Sequence, residues 1–316
     1  MKRLLLWLRR RGRASDSPAS APGGLAAAPR LAPDAPAQAE PDGVDAAAPP
    51  APELQFFSWL TGDPPAEGAL TAFERTLLAH LDAVTASDEQ RGELVPRARA
   101  IIPQLMHSLR DENQSVQSLT ARVARDPNLV VEVLRLAGSI GYRTGTPVGD
   151  LTQAVGRLGT DGLRRAIARI LLKPIFDAQA DPLLGRTAER LWQHSEGTAN
   201  LCLQTASIAR VDPFDAYLAG LMYNVGWTAA FRAMDRSTLG APPLMSAAFV
   251  RALAELRDRL FAHLVQSWSL SDSLSALAGE ILIVGFENAQ LPLGTVLRSA
   301  DRAAFLQLQR SSAVPA

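Results

Sequence analysis

Two polar side chains stand together in an otherwise apolar stretch, LAGLMYNVGW (218–227): the phenol of Tyr223 and the carboxamide of Asn224, with Gly226 two residues on. The surrounding pattern reads as the middle of a buried helix. A phenol, with an ordinary pKa near 10, and an uncharged amide both hydrogen-bond well, but neither is a strong ligand for a transition metal. Two readings stay open. The pair lines a small-molecule pocket, or it fills a buried site with hydrogen bonds because an empty polar cavity is unfavourable. Other residues capable of chemistry are scattered. His80, His107 and His263 lack metal-type spacing, and His194 stands alone in LWQHS. Cys202, the single cysteine, excludes an intramolecular disulfide framework and reads as a small core residue. Arg164, Arg165 and Arg169, extended by Arg157, make a basic stripe at helical spacing. A solvated helix face is the expectation there, and for Arg122, Arg125 and Arg135. No dinucleotide or Walker glycine loop, nucleophile elbow or CxxC motif is found.

The elements that must position these groups are helical. Hydrophobic residues are 47% of the 316 and aromatics 6%, so a core must rest on Leu, Ala, Val and Ile. Lys+Arg and Asp+Glu are equal at 32 each, which gives no electrostatic commitment to nucleic acid. LTAFERTLLAHLDAV (70–84) places apolar residues three and four apart, on one helix face. Asp126-Pro127 and Asp212-Pro213 each set an N-cap acceptor before a proline at the first helical position. Gly159 reads as a C-terminal glycine, with Thr160 capping the next helix. Segments 185–210, 213–234, 246–267 and 272–287 all carry the helical period, and no strictly alternating run suggests a strand. The expected fold is an all-α bundle of about ten or more helices.

The N-terminal part differs. MKRLLLWLRRRGR (1–13) is basic, with an apolar run too short for a signal peptide or a membrane span. A solvated terminus is expected, with contact to an anionic membrane surface as the alternative. Residues 14–52 are Ala/Pro-rich and expected to be a disordered linker. ELQFFSWL (53–60) is an apolar island that either docks on the folded body or serves as a recognition element, within leading helices at 53–95.

An ordered set of segments resembles the HDOD domain family. DPNLVVEVLRLAGS (126–139) resembles that family's "DP-x-L…LRLANS", preceded by the proline-led IIPQLMHSL. PVGDLTQAVGRLGTDGLRRAI (147–167) is similar to its "A-i-x-x-LG…lR" segment. LWQHS with Ala199, LAGLMYNVG, QSWSLSDSL and SADRAA follow in the family's order. The resemblance covers about residues 96–304, leaving 305–316 as a tail.

It implies an all-helical relative of the HD phosphohydrolases, in which a histidine, a His-Asp pair and a late aspartate hold a divalent metal that activates water. On that implication His194 takes the first ligand position, Tyr223-Asn224 replaces the His-Asp pair, and Asp301 takes the last. Arg257 stands where many relatives keep a histidine, and Glu280 or Ile281 at a second such place. No metal, no cofactor and no catalysis are expected. His194 is expected to be a buried polar anchor, bonded to a carbonyl or to Asp301. The implied role is a bacterial, cytoplasmic signalling module that contacts a protein partner, with FFSWL and LLLWL as candidate contact elements. The alternatives are a sensor holding a nucleotide-like small molecule in the vestigial pocket, or a degenerate HD phosphohydrolase.

Overall fold

The computed structural model describes residues 51–98, 102, 116–138, 148–177 and 181–313. The chain divides into two units, Met1–Ala48 and Pro49–Ala316, and the described residues belong to the second. The basic N-terminus with its LLLWL, nearly all of the expected linker, and His107 lie outside them.

Helices begin where a side chain can satisfy their free backbone N–H groups. α1 (Pro52–Thr61) has proline in its first position and stops at Gly62, whose φ of 88° suits a residue without Cβ. α2 (Ala72–Val84) opens with a reciprocal cap: Thr71 Oγ1 accepts from the Glu74 N–H, and the Glu74 carboxylate accepts from the Thr71 N–H at 2.8 Å. α3 (Asp88–Leu94) and α4 (Val116–Val123) are short. α5 (Pro127–Ala137) carries the expected cap, Asp126 accepting from Asn128 N–H at 2.9 Å. In α6 (Leu151–Phe176) two helical pieces meet at Gly159, φ 62° and ψ −171°, which is the stop signal read from sequence. α7 (Pro182–Ala206) lends the N–H groups of Leu183 and Leu184 to the Asp235 carboxylate, both at 2.9 Å. α8 (Pro213–Met222) is capped by Asp212 at 2.9 and 2.8 Å.

The next stretch departs from expectation. Segment 213–234 is not one helix: α8 ends at Met222, and α9 (Val225–Arg236) begins after Asn224, whose ψ of 0° lies outside the helical range. Tyr223-Asn224 is therefore a junction. Nearly every residue from Ala216 to Met234 is buried, so no exposed face marked the break. α10 (Ala247–Trp268), α11 (Asp272–Val284), a 3-10 turn (Phe286–Asn288) and α12 (Pro292–Ala313) complete the order. α12 runs nine residues past the expected domain limit at 304, and Phe305 is buried. Among the described residues there is no strand, only one isolated bridge between Ala66 and Ser246. The fold is all-α, as the sequence predicts.

Apolar burial, the main driving force, falls into two clusters. The smaller joins α4, α5 and the first half of α6. The larger joins α1, α2, α3, the second half of α6, and α7 to α12, with Cys202 fully buried inside it. Leu171 packs on both. Ion pairs tie the two together: Arg169 of α6 contacts Glu132 of α5 and Glu196 of α7, and Arg135 clasps Glu132 at 2.8 and 2.9 Å. Arg169 is thus a structural cation rather than part of a solvated face, since carboxylates on two other helices meet it, whereas Arg135 is exposed, as expected, and pairs with Glu132 within its own helix. Arg125 is exposed, as expected.

Glu74 joins the two ends of the large cluster. Besides capping α2, its buried carboxylate accepts from the Ser246 N–H at 2.7 Å and the Ser246 hydroxyl at 2.9 Å, at the start of α10. Burial pushes this carboxyl up, but the bonds from Ser246 and Thr71 outweigh it and hold its pKa below 4.5. A depressed carboxylate contributes stability above its unfolded value, and that contribution is lost as pH falls through the folded value. Glu74→Gln turns an NH2 against these donors and is expected to lose about 2 kcal/mol at neutral pH. The difference from wild type should shrink below pH 4. Denaturant titrations at both pH values check this, and a constant difference would remove the ionic part of the argument.

Candidate functional site

The five positions singled out from sequence converge around one cavity, placed there by α7, the α8–α9 junction, α10 and α12. His194 sits on the inner face of α7 and is fully buried. Its Nε2 lies 3.1 Å from the main-chain oxygen of Asp301 and 3.8 Å from that residue's carboxylate. A carbonyl oxygen only accepts, so Nε2 carries the proton and donates. Nδ1 then accepts from the Asn224 amide at 3.0 Å. The same amide reaches the Leu191 carbonyl at 3.2 Å and Ser195 Oγ at 3.0 Å. Burial holds the His194 pKa below its ordinary value, against the pull of Asp301, so the ring is neutral and both its nitrogens are engaged.

On the other side of the junction, Tyr223 donates its hydroxyl to Asp258 at 3.0 Å. Burial keeps this phenol well above its ordinary pKa. Arg257 spreads its guanidinium over the Tyr223 ring at 4.5 Å and the Trp227 ring at 5.2 Å, and its Nε pairs with Asp258 at 2.8 Å. Burial pushes the Asp258 carboxyl up, to about 6, while Arg257 pulls it down. Gly226 makes this approach possible. A Cβ there would stand 2.2 Å from the Arg257 carbonyl oxygen.

α1 closes the region from above. Phe56 lies 4.8 Å from the His194 ring, 6.2 Å from Trp227 and 5.4 Å from Phe305 between ring centres. Phe57 and Leu60 are buried beside it, and Arg190 donates to the carbonyls of Trp59 and Leu60 at 2.7 and 3.1 Å. The island FFSWL is therefore spent on the chain's own core, which corrects its expected role as a contact element: its apolar side chains face inward. Between α1, Tyr223, Trp227, Arg257 and Asp301 remains a cavity of about 300 Å3. Tyr223, Arg257 and Asp301 line it, whereas His194 and Asn224 lie behind, bonded to each other.

Sequence reasoning missed Asp258, Trp227 and the closure by Phe56 and Phe305. Asp258 had a signal: it lies four residues after Ala254 and three before Phe261, on the buried face of α10. Glu280 and Ile281 do not join the site. Glu280 accepts from the Gln290 and Leu291 N–H groups, and Ile281 is a core residue.

These residues do not fit a divalent metal. His194 has no lone pair to offer, the Tyr223 phenol is held protonated, and Asn224 presents its NH2 to the histidine. Arg257 brings a positive charge of its own. Among the described residues no group of three or more His, Cys, Asp and Glu could hold a metal ion.

An all-α bundle thus brings these positions together from α7, the α8–α9 junction, α10 and α12. The HDOD domain matches residues 95–280, more than half of the sequence. This chain belongs to the HDOD domain family. Two solved structures share its fold. It is similar over 70% of its length to 80% of an HDOD domain protein with unknown function from Geobacter sulfurreducens, at 22% identity and a TM-score of 0.51. It is similar over 76% of its length to 85% of a "Putative metal-dependent phosphohydrolase" from Shewanella amazonensis SB2B, at 15% identity and a TM-score of 0.53. No curated protein matches the sequence. α1 and α12 lie outside the family match. Among the described residues no helix is long and apolar enough to cross a membrane.

Proposed function

We propose that this chain is a non-catalytic regulatory module whose HD metal site has been replaced by a hydrogen-bonded and cation–π-stacked cluster, and that it acts by contacting a protein partner. The observation that carries the first half is the engagement of both His194 nitrogens inside the protein. An HD hydrolase needs that imidazole, and several more nitrogen and carboxylate ligands, turned toward one point. Here one candidate ligand anchors α12, another is an amide, and a guanidinium stands nearby. With chemistry gone, surface remains as the means of output. FFSWL is unavailable, so contact falls to exposed apolar positions such as Ile283 (84% exposed) and Val284 at the end of α11.

The test is elemental mass spectrometry on chelator-free protein, with phosphodiester hydrolysis assayed on the same sample under added manganese. Less than about a tenth of an equivalent of any transition metal is expected, given the tight binding of functional sites, together with no turnover above buffer. A stoichiometric metal, with hydrolysis lost in His194→Ala, would overturn the reading and leave the phosphohydrolase alternative standing.

A further inference from the structure

We propose that the cavity beside Tyr223 receives a flat, amino-substituted nitrogen heterocycle without a phosphate, whose adjacent N–H donors meet Asp301. This rests on the metal-free reading of the site and adds an input to it.

Size and shape come first. About 300 Å3 is at the small end of ligand pockets and admits a single or fused ring system. Its walls are aromatic: Phe56 stands between Trp227 and Phe305, with an interplanar angle of only 28° to Trp227. Such walls favour a flat ligand that can offset-stack or meet ring edges.

Charge then excludes the ligands an HD site would ordinarily attract. Three carboxylates line the cavity, Glu53, Glu287 and Asp301, against two guanidiniums, Arg257 and Arg302. Both guanidiniums are already paired: Arg257 with Asp258 behind it, and Arg302 with Glu287. A phosphate entering here would meet more negative than positive charge and no unpaired cation. A ligand with N–H donors meets the opposite situation. Among the described residues, the basic nitrogen within ion-pair distance of the Asp301 carboxylate is Nε2 of His194 at 3.8 Å, and that ring is held neutral and donates to the main chain instead. Asp301 is thus a carboxylate able to accept two parallel N–H bonds.

An amidine-type edge supplies two adjacent donors of that kind. Because Glu53 and Phe56 of α1 and Asp301 of α12 all line the cavity, the ligand also fastens α1 to the bundle, so that binding and seating of α1 are linked.

The test uses the full chain and two phosphate-free probes, isocytosine and guanosine, with benzoate and inorganic phosphate as controls. Calorimetry or thermal shift is expected to show saturable binding of at least one probe and of neither control. Asp301→Asn keeps the main-chain oxygen that His194 uses, so it should fold, and it is expected to weaken binding roughly 10- to 100-fold. Amide exchange in 52–61 should slow when the probe is bound. Failure of both probes at millimolar concentration, undiminished binding in Asp301→Asn, or preferential binding of either anion overturns the proposal, and unchanged exchange in α1 overturns the coupling. A metal inventory on the same sample separates the cases: a stoichiometric metal means the metal-free reading failed, whereas metal-free protein that ignores both probes means only this inference failed.

Discussion

Gly226→Ala is expected to destabilise the domain by about 3 kcal/mol or more, the upper end for forcing atoms into a closed core. The added Cβ would stand 2.2 Å from the Arg257 carbonyl oxygen and 3.1 Å from its carbonyl carbon. Both are backbone atoms in the middle of α10, so no side-chain rotation relieves the contact. α9 would have to lift away from α10, and the first interactions lost would be the Arg257 stacking on Tyr223 and Trp227. For a domain of this size the loss corresponds to a fall in melting temperature of roughly 6–12 °C. Gly156 supplies the control. It lies in α6 with nothing within 4 Å of its would-be Cβ, so Gly156→Ala should stabilise by about 0.5–1 kcal/mol through helix propensity and a less free unfolded chain. If Gly226→Ala melts within 2 °C of wild type (roughly the effect of an ordinary surface change), the close approach of α9 to α10 is wrong.

Placing the ligands that the family resemblance implies into this site should let it hold a metal, but only if Arg257 goes too. Tyr223→His with Asn224→Asp rebuilds the His-Asp pair that the family resemblance implies, while Arg257 still lies over position 223 and carries a charge that repels a divalent ion. The double variant is expected to stay below about a tenth of an equivalent of zinc or manganese, and the triple variant with Arg257→His to approach one equivalent, a gain large enough to read directly by elemental mass spectrometry. Asp258 loses its cation in the triple variant, and leaving a buried charge alone is destabilising by about 3–5 kcal/mol. Thermal melts with and without metal should therefore show a low apo stability rescued by the ion. Metal in the double variant would show that Arg257 is not what excludes it. Its absence from the triple would place the loss in the backbone that now bonds His194 to Asp301.

Much of this was legible in the residues. Asp126-Pro127 and Asp212-Pro213 cap helices as read, because an N-cap is a local device whose donor and acceptor lie within three residues. Gly159 stops a helix for an equally local reason. What escaped was what depends on packing. The break at Tyr223-Asn224 was invisible because both flanking helices are buried all round, and a helix without a solvent face has no phase to lose. FFSWL could not declare its own partner: an apolar island looks alike whether another protein or its own bundle covers it. Arg169 looked like one member of a basic stripe until Glu132 and Glu196, on two other helices, came to meet it. The convergence of His194, Asn224, Tyr223, Arg257 and Asp301 followed from resemblance. Of their hydrogen bonds the sequence anticipates one, His194 anchored on a carbonyl, which Nε2 makes to the Asp301 main-chain oxygen; the Asn224 amide on Nδ1 and the Tyr223–Asp258 bond join groups far apart in the chain, and only the fold could show them.

The seating of α1 also sets a timetable for the chain as it is made. Phe56 leaves the ribosome well before one of the rings it packs on, Phe305, which is synthesised about 250 residues later, some tens of seconds at ordinary elongation rates. His194, Trp227 and Phe231 offer Phe56 and Phe57 partners sooner, but the cleft is not closed until α12 is made. α12 thus completes a contact begun by α1, a closure of long sequence separation that makes this step slow. Until then the growing polypeptide carries an aromatic segment of the kind that chaperones bind.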